Sequence, residues 1–160
     1  MVETSGLITT VQQMSGTENN QITFCDYTLT AEYDNTVLRI ATPVDICECT
    51  DRAIKFRIEK ALWDTGSTSS CISERLARKM GLRPIDKGIG ITAVGQIEIP
   101  YYLLDVHITD DIIFRNVKAA GFPMENHKED FLIGMDIISR GEFNIKNINN
   151  KTVFTFKAVM

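Results

Sequence analysis

The amino-acid sequence predicts an all-β chain of barrel or sandwich type, and three observations predict it. Short stretches of alternating apolar and polar residues recur at close spacing, divided by turn signals such as Tyr33-Asp34-Asn35 and Thr109-Asp110-Asp111. Only one long segment, from Ser73 to Gly81, carries clear helix signals. The 160 residues are 44% hydrophobic, which makes one ordinary domain with enough apolar material for a core.

In chain order, residues 1–21 are polar, contain Gly and paired Asn, and show no sustained period. They are expected to be a flexible lead-in to a domain over residues 22–160. Strands are expected over 22–30, 36–41 and 44–49, with turns at Thr42-Pro43 and near Thr50-Asp51. Residues 54–62 alternate and then become continuously apolar into Trp63, as in a strand that passes from a half-exposed sheet into a core.

That strand delivers the stretch 61–70, ALWDTGSTSS, in which Asp64 follows three apolar residues and precedes a tight turn. Gly66 admits backbone conformations closed to other residues, and Thr65 and Ser67 place hydroxyls beside the carboxylate. An Asp-Thr-Gly tripeptide arises by chance in about 3% of chains of this length, so its context has to decide its meaning.

After this loop Ser73 is the expected N-cap of a helix, with Ile72 and Ala77 stapled across it, Leu76 and Met80 on one face and Gly81 at its end. Residues 87–99, KGIGITAVGQIEI, form two alternating runs around a Gly-containing turn and predict a β-hairpin. Strands over 101–108 and 113–120 complete the sheet. His107, on an alternating strand, is expected at a surface or edge, and His127 in a solvated polar loop. The C-terminal strand 152–156 is expected to present an unpaired edge.

With those residues in view, the 61–70 stretch resembles the active-site loop of aspartic peptidases. The short chain with one copy of the motif resembles the retropepsin-like group in its bacterial and cellular branches. Residues 131–141, FLIGMDIISRG, are similar to that family's second motif, an apolar pair and a Gly followed by a short helix, with Leu132, Ile133 and Gly134 in those places. The resemblance spans about residues 36–156. It implies a closed β-barrel with one helix after the active-site loop and a short C-terminal helix. It further implies Asp64, Thr65, Gly66 and Ser67 as the catalytic loop, and Thr92, Ala93, Val94 and Gly95 as the tip of a flap over the substrate.

Peptide hydrolysis by this chemistry needs two carboxylates sharing a proton. Asp136 sits at the start of the short helix, where its charge suits the helix dipole, and is read as a cap rather than as a second catalytic acid. The resemblance therefore implies a homodimer in which Asp64 meets its counterpart and Thr65 bonds across the axis, acting on an extended polypeptide. The Ser67 hydroxyl is expected to donate to Asp64 and to keep the dyad acidic. No cofactor and no metal is expected. The competing reading is a peptide-binding or dimerisation module that does not cut.

Other classes find little support. A net charge of -4 without a Lys/Arg cluster argues against a nucleic-acid surface. No apolar run reaches membrane-spanning length and the N-terminus lacks signal-peptide character, so no membrane role and a cytoplasmic location are expected. Cys25, Cys47, Cys49 and Cys71 are accordingly read as reduced thiols.

Overall fold

A computed structural model describes residues 26–92, 95–123 and 129–159. The expected lead-in over 1–21, His127 and the flap positions Ala93 and Val94 lie outside the described residues, as does the side chain of Thr92. The chain forms two compact units, one from Ala41 to Ile137 and one from the residues before and after it.

The larger unit contains β2 (Ala41–Glu48), β3 (Asp51–Trp63), β4 (Cys71–Ser73), α1 (Glu74–Lys79), β5 (Asp86–Thr92), β6 (Gly95–His107), β7 (Ile113–Phe122) and β8 (Phe131–Ile133), and it leads into α2 (Met135–Ile138). Its hydrogen-bonded order is β2-β3-β8-β4-β7-β6-β5, and a further β2–β6 pairing brings the series of neighbours back to its start. The predicted alternation is real. In β2, Thr42, Val44 and Ile46 point inward, and Leu104, Val106, Phe114, Val117 and Ala119 do the same from β6 and β7. Each such aliphatic or aromatic side chain contributes roughly 1.5–3 kcal/mol by leaving water.

The smaller unit is a three-stranded sheet of order β1-β10-β9, with β1 over Asp26–Tyr33, β9 over Gly141–Ile148 and β10 over Lys151–Val159. Asn149 and Asn150 both adopt positive φ, at 51° and 61°, between strands whose register runs Lys151↔Ile148. Two left-handed residues in a two-residue loop match the right-handed twist of a hairpin, and Asn tolerates that conformation.

Five expectations are corrected. Residues 36–40 are not strand, and the Thr42-Pro43 pair lies inside β2 rather than in a turn. Proline has no N–H for the ladder, and the β2–β3 register shifts between Thr42 and Val44, so the chain continues through a bulge. The hairpin strand does not stop at Pro100 but runs unbroken to His107. His107 itself is buried. Finally, β10 has no free edge, because β1 and β9 pair with it on either side.

Between the hairpin strands the two glycines of β5 make room for large neighbours. A Cβ on Gly88 would lie 2.7 Å from the Tyr101 ring, and one on Gly90 would lie 3.1 Å from Ile99 and Phe122. Tyr101 and Phe122 pack on the buried Cys71, Ile99 and Ala120. The Thr92↔Gly95 pair closes the hairpin.

Candidate active-site loop

The loop begins where burial ends. Trp63, last in β3, is buried and donates from Nε1 to Thr42 Oγ1 at 2.9 Å. One residue later the Asp64 N–H donates to the Ile133 carbonyl at 2.9 Å, and the Asp64 carbonyl accepts from the Ser67 N–H at 3.2 Å. Asp64 Oδ1 accepts from the Gly66 N–H at 2.9 Å. An Asp that bonds the backbone two residues on is a self-contained turn, so the carboxylate is oriented by its own loop. Asp64 and Ser67 are half-buried, whereas Thr65 and Gly66 are exposed.

The second motif holds this loop from behind. β8 runs parallel to β3, with Trp63↔Ile133, and antiparallel to β4, with Cys71↔Leu132. Both strands that bracket the loop are therefore bonded to the same three residues. Beyond β8 the Gly134 N–H donates to Ser70 Oγ at 3.1 Å, Met135 N–H to the Ser67 carbonyl at 2.8 Å and Asp136 N–H to the Thr68 carbonyl at 3.2 Å. Gly134 is required by close approach, since a Cβ there would sit 2.4 Å from the Ser69 carbonyl carbon.

Asp136 faces the same loop. Its Oδ1 accepts from both the N–H and the hydroxyl of Ser70, each at 2.8 Å, and from the Ile137 N–H at 3.1 Å. It fastens the loop to α2, in keeping with its reading as a cap. Sequence reasoning missed its partner Ser70, which is buried. The only available signal was a hydroxyl placed just after an exposed loop.

The expectation for Ser67 is corrected. Its hydroxyl donates to the Ser69 carbonyl at 2.7 Å and lies 3.8 Å from Cys71 Sγ, so its single proton is not available to Asp64. Cys71 is buried there, and burial pushes its thiol up to about 11. Among the described residues the Asp64 side chain receives one hydrogen bond, from Gly66.

The helix after the loop follows the sequence closely. Ser73 Oγ accepts from the Leu76 N–H at 3.1 Å and donates to Asp130 Oδ1 at 2.6 Å, and Gly81 ends the helix with φ at 70°. Arg75 also bonds Asp130 at 2.7 Å. Burial raises the Asp130 carboxyl, but these two donors outweigh it and hold the group below its ordinary value.

Cys47, on β2, and Cys49, just beyond its end, lie in a separate polar cluster with residues of β6. Cys49 Sγ donates to Asp105 Oδ1 at 3.5 Å, and Cys47 Sγ lies 3.8 Å from His107 Nε2. Asp105 is wholly buried and also accepts from Arg52 at 2.6 Å, Arg115 at 3.1 Å and the Asn116 N–H at 2.9 Å. Burial raises its pKa, but those bonds together hold it below the ordinary carboxylate range. Burial, reinforced by Asp105, pushes the Cys49 thiol up to about 11. Among the described residues no group of three or more His, Cys, Asp or Glu is arranged to hold a metal ion.

Among known proteins, the family described as "gag-polyprotein putative aspartyl protease" matches residues 53–140. Among solved structures, a retropepsin-like aspartic protease from Rickettsia conorii aligns at 13% identity and a TM-score of 0.49, over 88% of this chain and 99% of that one. The retroviral protease-like domain of Ddi1 from Leishmania major aligns at 21% identity and a TM-score of 0.41, over 71% and 93%. No curated protein matches significantly.

Proposed function

This chain belongs to the gag-polyprotein aspartyl protease family, and from that premise we propose that it is an aspartic endopeptidase acting as a homodimer. The observation that carries the reading is Asp64 itself, delivered from the buried end of β3 to a clamped loop and bonded there by one backbone donor. A carboxylate with two oxygens has acceptor capacity for several donors, and most of that capacity remains for a water and a second acid.

In the dimer the two Asp64 carboxyls share one proton. The ionised one takes a proton from the water as its oxygen adds to the peptide carbonyl carbon, and the protonated one gives its proton to the carbonyl oxygen. As the resulting diol collapses, one of its hydroxyls returns a proton to the ionised carboxylate and the C–N bond breaks. The protonated carboxyl gives its proton to the departing amine, so the pair again shares one proton. Thr65 bonds across the axis, Gly66 orients Asp64, and Ser67 shapes the turn from the rear. The substrate lies extended beneath the β5–β6 hairpin and is held through its main chain.

The test is incubation of the purified full chain with an unstructured peptide library from pH 3 to 8, beside Asp64→Asn. Cleavage by the parent and less than a few per cent of it by the variant is the expected result. Peptide binding without cleavage, equal in both proteins, would replace this reading with a non-catalytic binding module.

A further inference from the structure

Asp105 Oδ2 accepts from Arg52 Nε at 2.6 Å and from Arg115 Nη1 at 3.1 Å, so one buried oxygen holds two guanidiniums side by side. They reach it from β3 and β7, on either flank of the β2–β6 pairing that sets Asp105 opposite Cys47. A buried carboxylate needs donors for its lone pairs, which accounts for the inner N–H of each arginine. It does not account for the others. A guanidinium carries five N–H donors in a planar fork. Arg52 keeps its Nη1–Nη2 pair and Arg115 its Nε–Nη2 pair, with no acceptor for either among the described residues. Both side chains are half exposed, at 52% and 53%, above a carboxylate at 0%.

Lys55 stands beside them, exposed and without an ion pair among the described residues. It acts on Cys47 together with Arg52 and Arg115, which places all three cations round one thiol. The nearest other acids are engaged or turned away. Asp45 is paired with Arg57, Asp51 accepts from the Ala53 N–H, and Glu48, next to Cys47 in β2, points to the opposite face of the strand.

We propose that Arg52, Arg115 and Lys55 form a binding site for a phosphate group, at the far end of β3 from Asp64. A carboxylate has two oxygens and fills one fork, whereas a phosphate monoester has three acceptor oxygens and can meet both forks together. Charge agrees with shape. Three cations against the single charge of Asp105 leave an excess of two, the charge of a phosphate dianion. Asp105 is then a positioning residue, which fixes the spacing of the two guanidiniums before the ligand arrives.

Titration calorimetry of the full chain with inorganic phosphate, at low salt and about pH 8, should show one site, with acetate at least about tenfold weaker. Arg52→Gln and Arg115→Gln should each weaken phosphate at least about tenfold, Arg115→Lys about fivefold because it keeps the charge without the fork, and Lys55→Gln about threefold. Asp64→Asn should bind as the parent does. Urea midpoints are measured beside each variant, and if a Gln variant of either arginine unfolds, Arg115→Lys and Lys55→Gln decide the matter. A phosphoserine peptide and its unphosphorylated twin separate the sources. Binding of the phosphopeptide at least about tenfold tighter than inorganic phosphate, with none by the twin, identifies a phosphate carried on a polypeptide, and equal affinity identifies free phosphate or a small ester. Parent binding weaker than about 10 mM, or binding that neither Arg115→Lys nor Lys55→Gln changes, overturns the site.

Discussion

Asp64 and Asp105 are the same residue type at the ends of two different arguments. Asp105 is wholly buried and accepts from two guanidiniums, a backbone N–H and a thiol. Asp64 is half-buried and accepts from one N–H of its own loop. A carboxylate out of water must fill its lone pairs or lose stability, whereas one at a surface can keep them open for a ligand. The candidate reactive acid is therefore recognised by lone pairs left open. Asp105, with its lone pairs filled, is the structural one.

Neutralising each acid in turn separates the two roles. Asp64→Asn should remove at least about 95% of peptidase activity yet shift stability by less than ~0.5 kcal/mol, because its loop keeps an acceptor at the same place. Asp105→Asn should leave the reactive acid intact but cost about 2–3 kcal/mol in urea unfolding, since two guanidiniums and a buried N–H lose a charged acceptor. That figure is limited by the half exposure of Arg52 and Arg115, which regain water. If Asp64→Asn unfolds the chain instead, its carboxylate is structural too.

Gly134→Ala attacks the support of Asp64 without touching the acid. The new methyl would meet backbone atoms of Ser69 and Ser70, which cannot swing aside as a side chain would. A loss of about 3 kcal/mol in thermal unfolding is expected, with activity falling in parallel.

The buried cluster should also show itself by titration. His107 is held below 6.5, first by burial and then by Lys55, with Asp105 and Asp45 opposing and Arg115 assisting; Cys47 lies against its Nε2. Because the folded value is depressed, the unfolded chain binds the proton first as pH falls. This contribution is complete above about 6.5 and is lost below it, at up to ~1.4 kcal/mol per pH unit. Asp105 and Asp130 act later, their contributions being present above 3.8 and lost as pH falls further. Urea midpoints between pH 7 and 5 should therefore decline for the parent and stay level for His107→Leu.

The smallest effect belongs to Ser67→Ala. With its hydroxyl committed to Ser69, the pH–rate profile should superimpose on the parent's, and stability should drop by about 1 kcal/mol. A profile displaced toward higher pH would mean that the hydroxyl turns to Asp64 in the dimer.

What was legible in the sequence was local. The Ser73 cap, the Gly81 stop and the delivery of Asp64 by an alternating strand depend on neighbours within a few residues, and all stand in the structure. What was missed depends on distant pairing. Nothing near His107 announces that it faces Cys47 from sixty residues away, and nothing near β10 announces a strand on each side. The β9–β10 turn is the exception, because Asn149-Asn150 was a readable signal for a two-residue hairpin. Pro43 misled because a proline that suits a turn also suits a bulge.

β8 is three residues long, yet the strands on either side of the Asp64 loop both bond to it from about 60 to 70 residues earlier in the chain. A contact of that range sets a clock on synthesis. At about 5–20 residues per second, Asp64 leaves the ribosome roughly 4–14 s before the segment that clamps its loop. During that interval the loop lacks the bonds that β8, Gly134 and Asp136 supply. It can take its clamped shape only once the segment through Asp136 has emerged.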